Sequence, residues 1–230
     1  WRGRATAASA SALSGSGITP DLYGLLSHED YDLGLFCQRI TGITDGWVYA
    51  TDACAAGRDI SAECLQLGVE LRDLHARLAD AFGTAARPGE DLTADMVRRF
   101  AEAAEAVHEL DEYRHAAQLL FSAPSGQALA TQRVHGDFHL GQVLHRSAPA
   151  GSPWVIIDFE GEPLKTLAER REFDSVWRDV AGLLRSLDYA RSAHADPDGH
   201  EARQWCAAAR EAFLDGYSGK HRAEPALLRA

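Results

Sequence analysis

The sequence predicts an α+β fold that is mostly helical and carries one small β-hairpin. Before residue 121 and again after residue 176, apolar residues recur every three or four positions, the spacing of a helix face packed against a core. Between these regions come two short extended runs, 142–145 and 154–159. The loop that joins them is rich in Ser, Pro and Gly, so the two runs are expected to pair as a hairpin.

The first helix is predicted to begin after Asp59, and a second, long helix is expected to be capped by Thr93 and to end before Pro124. Two further helices are expected after Pro163. The apolar stripes that support these helices consist of Leu67, Leu71, Leu74, Leu78 and Phe82 in the first, Val180, Leu183, Leu184 and Leu187 in the third, and Trp205, Phe213 and Tyr217 in the last.

The beginning of the chain carries weaker signals. Residues 1–18 are rich in Ala, Ser and Gly without a clear period, and we assign them no regular structure. Residues 33–40 are typical of a strand, which is expected to end in a turn at Thr44-Asp45-Gly46. We therefore expect a flexible or remnant N-terminal segment over 1–32 and a hinge strand and turn over 33–50.

Composition excludes several classes of function. The formal net charge of −11 opposes binding to nucleic acid or to anionic lipid, because both require a basic surface. An acidic balance suits a cationic small molecule, although acidity also serves solubility alone. No apolar run approaches the roughly 20 residues that cross a bilayer, and the four cysteines are scattered, which is typical of a reducing compartment. The expectation is a cytoplasmic protein with no membrane and no nucleic-acid partner.

Three residues point to phosphoryl transfer. This reaction needs a carboxylate that orients the acceptor hydroxyl and takes its proton, and oxygen ligands that hold Mg²⁺ against nucleotide phosphates. Asp137 follows Gly136 in a loop and suits the first task. Gln142 offers a carbonyl oxygen, and Asp158 ends an apolar strand that can support it rigidly. The sequence therefore predicts a magnesium-dependent phosphotransferase that acts on a small molecule.

The same segments resemble a known superfamily. Residues 134–142, Val-His-Gly-Asp-Phe-His-Leu-Gly-Gln, and 156–160, Ile-Ile-Asp-Phe-Glu, are similar to the catalytic loop and metal-binding strand of the aminoglycoside phosphotransferase and choline kinase superfamily. Gln142 stands where most members have Asn. Together with residues 158–163 and 178–186, this departure resembles the maltokinase branch, which includes actinobacterial maltokinases and glucosamine kinases.

The resemblance implies a protein-kinase-like fold, with 51–230 as the C-terminal catalytic lobe. It implies that Asp137 is the catalytic base, that Gln142 and Asp158 are magnesium ligands, and that ATP is the phosphoryl donor. Kinases of this fold hold the nucleotide phosphates with a lysine from an N-terminal sheet, but the lysines here are Lys165 and Lys220. We therefore expect most of the N-terminal lobe to be absent, and we assign no nucleotide-binding residues.

Substrate-binding residues are expected after the motif and within it. Trp177 could stack on a sugar ring, and Asp174 and Asp179 could meet an amine. The alternative is that Trp177 fills a gap under its helix while these acids, with Glu172, are solvated or pair with neighbouring arginines. We also assign His135 and Glu160 to substrate binding. His139 is expected to support the loop by hydrogen bonding, and His75 to be a satisfied interior histidine.

Several functions remain open. The favoured one is an ATP-dependent sugar kinase that converts glucosamine to glucosamine 6-phosphate, with the sugar and ATP as its partners. A maltokinase making maltose 1-phosphate is the alternative. A kinase-like binding module without turnover is a third reading, because no lysine precedes Asp137. A metal-dependent hydrolase could use His135, Asp137, His139 and Asp158 as ligands, but it does not explain Gln142, since an amide is a poor ligand for zinc or iron.

Overall fold

The computed structural model of the chain describes residues 4–29, 31–124, 126–147, 151–162, 166 and 169–219. These residues form a mixed α and β structure in which helices predominate. The helices are α1 Arg4–Leu13, α2 Gly46–Ala55, α3 Ser61–Phe82, α4 Gly89–Ala106, α5 Arg114–Phe121, α6 Trp177–Ala190 and α7 His200–Ser218. The strands are β1 Leu22–His28, β2 Tyr31–Cys37, β3 Ile43–Asp45, β4 Thr84–Pro88, β5 Ala128–Gln132, β6 Val143–Arg146 and β7 Trp154–Ile156.

The core forms where α3 packs along α7. As the apolar stripe predicts, Leu67, Leu71, Leu74 and Leu78 on α3 are completely buried. The two helix backbones approach closely at Gly68, where a Cβ atom would overlap the backbone of α7. Buried side chains of this kind contribute about 1.5–3 kcal/mol each to folding. The predicted α3 is therefore confirmed.

The predicted hairpin is also confirmed. Strands β6 and β7 pair antiparallel, with Val143 opposite Ile156 and Leu144 opposite Val155. A third strand, β3, pairs with β6 on the other side, and Thr44 lies opposite His145. The sequence prediction of a turn at Thr44-Asp45-Gly46 is wrong, because Asp45 ends β3 and caps α2. Its Oδ1 accepts hydrogen bonds from the N–H groups of Trp47 at 2.9 Å and Val48 at 3.1 Å.

The first residues are more ordered than their composition indicates. The assignment of no regular structure to 1–18 is wrong for Arg4–Leu13, which form α1 and bury Leu13 in the core. Strands β1 and β2 form an antiparallel hairpin, so regular structure covers much of the segment expected to be flexible. The sequence of α1 does not show a helical period, because Ala and Ser supply few large apolar side chains that would mark one face.

The middle of the chain departs from the predicted long helix. Helix α4 already begins at Gly89, so Thr93 is not its cap; the Thr93 hydroxyl instead donates to the carbonyl of Phe121 at 2.7 Å. Val107 has an extended backbone, with φ −132° and ψ 93°, and ends the helix. A short 3₁₀ helix, His108–Tyr113, then leads into α5. The antiparallel pairing of β4 with β5 was not predicted.

The last two helices agree with the sequence. Val180, Leu183 and Leu187 on α6 are completely buried, as is Phe213 on α7. Their apolar faces belong to the same core cluster as the buried residues of β6 and β7. Among the described residues, no helix combines the length and the apolar character that a membrane-spanning segment requires.

Candidate active site

Asp137 lies in the loop between β5 and the 3₁₀ helix Leu140–Gln142. Gly136 gives this loop its sharp turn, because its φ of +88° belongs to the left-handed region that other residues rarely adopt. The Asp137 side chain is about one-third exposed, at 31%. It lines an open cavity of about 560 Å³. The carboxylate is therefore accessible to a small molecule.

Helix α6 holds this loop in place along three successive turns. At its start, the two carboxylate oxygens of Asp179 accept hydrogen bonds from the N–H groups of His135 and Gly136, both at 2.8 Å. Further along, the Ser186 hydroxyl accepts from the N–H of Leu140 at 3.0 Å. Between them Gly182 lets the helix touch the loop, since an added Cβ would overlap the carbonyl oxygen of Phe138.

The burial of Asp179 corrects its assignment to substrate binding. Its side chain is completely buried and also meets His75 Nε2 at 2.9 Å. Burial alone raises the pKa of Asp179, but the hydrogen bond and charge of His75, with the Gly136 N–H, hold the pKa below its ordinary value. His75 Nδ1 in turn meets the Tyr217 hydroxyl at 2.9 Å, which confirms it as a satisfied interior histidine. Asp179 thus positions the loop and has no access to a sugar.

His135 is corrected in the same way. It is 2% exposed, its Nε2 donates to the carbonyl of Ile157 at 2.8 Å, and its Nδ1 faces the N–H of Asp137 at 3.4 Å. Burial lowers the pKa of His135, while the nearby charges of Asp179, Asp158 and Asp137 oppose this shift. With both ring nitrogens already engaged, His135 is available neither to a substrate nor to the metal-ligand set considered for a hydrolase.

His139 supports the loop, as the sequence indicates. Its Nδ1 accepts a hydrogen bond from the N–H of Gly141 at 3.0 Å. Its Nε2 lies 3.9 Å from Asp137 Oδ2. The ring therefore fixes the start of the 3₁₀ helix and faces the carboxylate of Asp137 across the edge of the cavity.

The structure brings Gln142 and Asp158 together. Gln142 Nε2 donates to Asp158 Oδ2 at 3.3 Å. The N–H of Ile157 bonds to the Gln142 carbonyl at 3.0 Å, which joins the two segments that carry these side chains. Asp158 adopts φ +62°, a left-handed conformation uncommon for a residue other than glycine, and its side chain is exposed.

This pair fits Mg²⁺, which prefers hard oxygen ligands and takes one or two protein groups together with substrate phosphates. A half-turn of the Gln142 amide exchanges its oxygen and nitrogen and presents Oε1 at the point where Nε2 now meets Asp158. Within the residues described, no three His, Cys, Asp or Glu side chains form a cluster that could hold a metal ion. Two ligands beside a nucleotide satisfy the chemistry of magnesium.

Glu160 lies away from the cavity that contains Asp137. With Asp158 and Phe159 it lines a second cavity of about 230 Å³, whose other wall includes Leu35 and Cys37 of β2. Its N–H faces Asp158 Oδ1 at 3.4 Å. Glu160 therefore lies on the Asp158 side of the site and not beside Asp137.

The structure agrees with the alternative interpretation of Asp174 and Trp177, in which both side chains contact the protein itself. Asp174 pairs with Arg178 Nη1 at 3.2 Å and lines a separate small cavity of about 50 Å³ that also includes Glu172. Trp177 is partly buried against the core and packs on Tyr217, with ring centroids 5.8 Å apart. Neither side chain lines the cavity that contains Asp137, so the structure gives no support to the assignment of Asp174 and Trp177 to an acceptor held there.

The Asp137 cavity also contains charged residues that sequence reasoning missed. Arg178 Nε donates to the carbonyl of Gly136 at 3.0 Å and pairs with Glu162, so it fixes the loop from a second side. Arginines and one further acid complete the charged lining: Arg99 from α4, Arg185 and Asp188 from α6, and Arg210 from α7. These residues carry no common motif, because they meet only when three separate helices pack together.

The chain is similar in sequence to glucosamine kinases. No protein-family model matches the chain. The sequence is 30% identical over 241 aligned positions to a glucosamine kinase from Streptacidiphilus jiangxiensis, covering 90% of this chain and 52% of that protein. It is 30% identical over 238 positions to a glucosamine kinase from Mycolicibacterium smegmatis, covering 84% of this chain and 53% of that protein.

Solved structures of glucosamine kinases also superpose on the chain. One crystal form of a glucosamine kinase superposes with a TM-score of 0.79 at 28% identity, covering 92% of this chain and 56% of that one. A glucosamine kinase in complex with glucosamine, ADP and inorganic phosphate superposes with a TM-score of 0.76 at 27% identity, covering 92% and 59%. The chain therefore shares its α+β fold with glucosamine kinases and spans about half of their length.

Proposed function

We propose that the chain carries the catalytic centre of an ATP-dependent glucosamine kinase, which transfers the γ-phosphoryl group to a sugar hydroxyl and makes glucosamine 6-phosphate. The observation that carries this proposal is the accessible Asp137 on a loop clamped by α6, with the Gln142 and Asp158 pair beside it. The similarity to glucosamine kinases, one of them solved with glucosamine and ADP, supports the choice of acceptor.

In this mechanism Asp137 orients the acceptor hydroxyl in the cavity and accepts its proton as the oxygen attacks phosphorus. The N–H of Gly136 donates to Asp179 and the carbonyl of Gly136 accepts from Arg178, and these two hydrogen bonds hold the loop that carries Asp137 in position. Preorganisation of this kind matters, because phosphoryl transfer depends on positioning more than on covalent chemistry by the protein.

Gln142 Oε1 and Asp158 are the residues that we propose for Mg²⁺, which supplies positive charge against the nucleotide phosphates. The second cavity, between β2 and Asp158, has apolar walls from Leu35, Ile157 and Phe159. Apolar walls next to a metal-binding carboxylate suit the base of a nucleotide. We therefore propose that ATP binds on the Asp158 side and the sugar on the Asp137 side.

The domain proposal follows the same division. We propose that 51–230 form the C-terminal lobe of a protein-kinase-like fold, that 33–50 serve as the hinge, and that 1–32 are a remnant of the other lobe. The proposed branch is that of maltokinases and glucosamine kinases, on the basis of Gln142 and the segments around Asp158 and Arg178. Maltose remains the second candidate acceptor for this reason.

As the partner of the glucosamine amine we propose Asp188, and no longer Asp174 or Asp179. It lines the Asp137 cavity, where Glu162 is already paired with Arg178 and Asp137 takes the proton. One oxygen of Asp188 accepts from Arg191 Nε at 3.2 Å, and its side chain is 47% exposed. The second oxygen can accept a charge-assisted hydrogen bond from an ammonium group.

The experiment is an acceptor panel with the full-length protein, in which ADP release from ATP is followed with and without Mg²⁺. Among the monosaccharides of the panel, glucosamine should have the highest kcat/KM. N-acetylglucosamine and glucose should be about tenfold to a hundredfold poorer, because a charge-assisted hydrogen bond is worth about 1.5–3 kcal/mol. Asp188→Asn should narrow that difference. Faster turnover of maltose assigns the protein to the maltokinases, and no turnover of any sugar supports the inactive binding module.

A further inference from the structure

A further cavity adjoins the one that contains Asp137. Its volume is about 310 Å³, and it shares His139, Gly182 and Arg185 with the Asp137 cavity. Its remaining lining includes Trp47 and Tyr189, so we call it the aromatic cavity. A volume of this size lies at the lower end of the range of ligand pockets, about 300–1,000 Å³.

One face of α6 forms a wall of the aromatic cavity. Gly182, Arg185, Ser186 and Tyr189 follow one another at spacings of three, one and three, which places them on the same side of the helix. Gly182 and Arg185 also belong to the Asp137 cavity. A molecule held beside Asp137 can therefore extend along α6 into the aromatic cavity.

Trp47 faces α6 from the start of α2. Asp45 caps α2, and its Oδ1 accepts a hydrogen bond from the N–H of Trp47 at 2.9 Å, which fixes the backbone at this position. The Trp47 side chain remains 38% exposed, and Tyr189 is 59% exposed. In the part of the chain that the structure describes, neither the Trp47 indole N–H nor the Tyr189 hydroxyl has a hydrogen-bond partner.

This lining has the chemistry of a site for a sugar ring. Aromatic faces pack on the C–H face of a pyranose, and exposed indole, phenol and guanidinium groups can hydrogen-bond its hydroxyls. Arg185 offers the guanidinium, and no hydrogen bond or ion pair engages it among the described residues. An isolated large aromatic side chain needs no explanation when exposed, but two that line one cavity next to a reactive carboxylate indicate a ligand.

We propose that the aromatic cavity binds the second ring of a disaccharide or glycoside whose first ring lies beside Asp137. The inference rests on the proposed sugar kinase function and extends its substrate class from monosaccharides to glycosides of the acceptor sugar. The hydroxyl that reacts belongs to the first ring, and the second ring adds binding energy through Trp47 and Tyr189.

The test compares one amino disaccharide, β-1,4-linked glucosaminyl-glucosamine, with glucosamine as acceptors for the full-length protein. The disaccharide should have the higher kcat/KM. Trp47→Ala and Tyr189→Ala should each lower kcat/KM for the disaccharide about tenfold more than for glucosamine. Tyr113→Ala, which removes a 55% exposed tyrosine from the distant 3₁₀ helix after α4, is the matched control and should change neither value.

Binding of the same disaccharide by saturation-transfer NMR keeps this inference separate from the proposed function. If no sugar is phosphorylated, the function fails, but contact of the second ring that is lost in Trp47→Ala still supports the aromatic cavity. A disaccharide that reacts and binds no better than glucosamine overturns the inference. Equal losses for both acceptors in the two aromatic variants overturn it as well.

Discussion

At the scale of single residues, Asp137→Asn keeps the shape of the side chain but removes a proton acceptor. Because general-base catalysis contributes about 10²-fold or more, kcat should fall at least that far in an ADP-release assay with the full-length protein. The unfolding transition should stay unchanged, since Asp137 is partly exposed. The exposed Asp52 of α2, replaced by Asn, serves as the control. A folded variant with near-normal turnover would remove Asp137 from its role.

Asp179 differs from Asp137 because its contribution is to stability and position. Its folded-state pKa lies below the ordinary value, so its charge contributes stability that is fully present above the unfolded-state pKa of about 4 and is lost as the pH falls through the lower folded-state pKa. Asp179→Asn replaces one of the two acceptor oxygens by an NH₂ group, so at least one of the three buried donors loses its partner, and the substitution should cost about 3–5 kcal/mol at pH 7.

Urea unfolding of the wild type and of Asp179→Asn at several pH values measures this effect. The difference in free energy of unfolding should be constant from pH 7 to about pH 5 and should narrow below about pH 4. A difference that is as large at pH 3 as at pH 7 contradicts the role of the buried charge. The sequence could not distinguish the structural role of Asp179 from the role of Asp174. The reason is that one hydrogen-bond partner of Asp179 is His75, which lies 104 positions earlier in the chain.

At the scale of elements, the close approach of α6 to the catalytic loop can be tested at Gly182. In an exposed helix, Gly→Ala stabilises by about 1 kcal/mol. Here the added methyl overlaps the carbonyl oxygen of Phe138, so Gly182→Ala should destabilise by about 1–3 kcal/mol and lower kcat by displacing Asp137. The exposed neighbour Ala181, changed to Gly, should cost only helix propensity. Thermal unfolding and ADP release together distinguish the two.

The elements that could be predicted from sequence are those with local periodicity. Helix α3 carries four buried leucines on one face, so its contact with the core can be predicted from its own residues. Strand β3 has three residues, and its partner β6 lies about a hundred positions later, with Ile43 opposite Arg146. Such a strand is defined by pairing with a distant segment and carries no local signal. For the same reason the arginines of the Asp137 cavity could not be predicted, because they come from separate helices.

At the scale of the whole molecule, large apolar side chains remain exposed on the β1–β2 hairpin. Tyr23 is 69% exposed, Leu26 53% and Phe36 60%. Large apolar side chains exposed together on one short hairpin are typical of a contact surface. Under the domain proposal, the surface that contacts this hairpin belongs to the lobe that supplies the rest of the nucleotide site. Similarity to proteins about twice as long as this chain supports that proposal.

The domain proposal predicts that these 230 residues alone bind ATP·Mg²⁺ weakly, with a Kd near or above about 1 mM, equivalent to about −4 kcal/mol. Gln142, Asp158 and the cavity beside β2 provide one wall of the site. The phosphate-holding lysine of kinases comes from an N-terminal strand, whereas both lysines of this chain, Lys165 and Lys220, follow Asp137. Calorimetry on the 230 residues measures the affinity, and Asp158→Ala should abolish the weak binding that remains. Micromolar affinity of the chain alone contradicts the two-lobe proposal, because one wall would then suffice to hold the nucleotide.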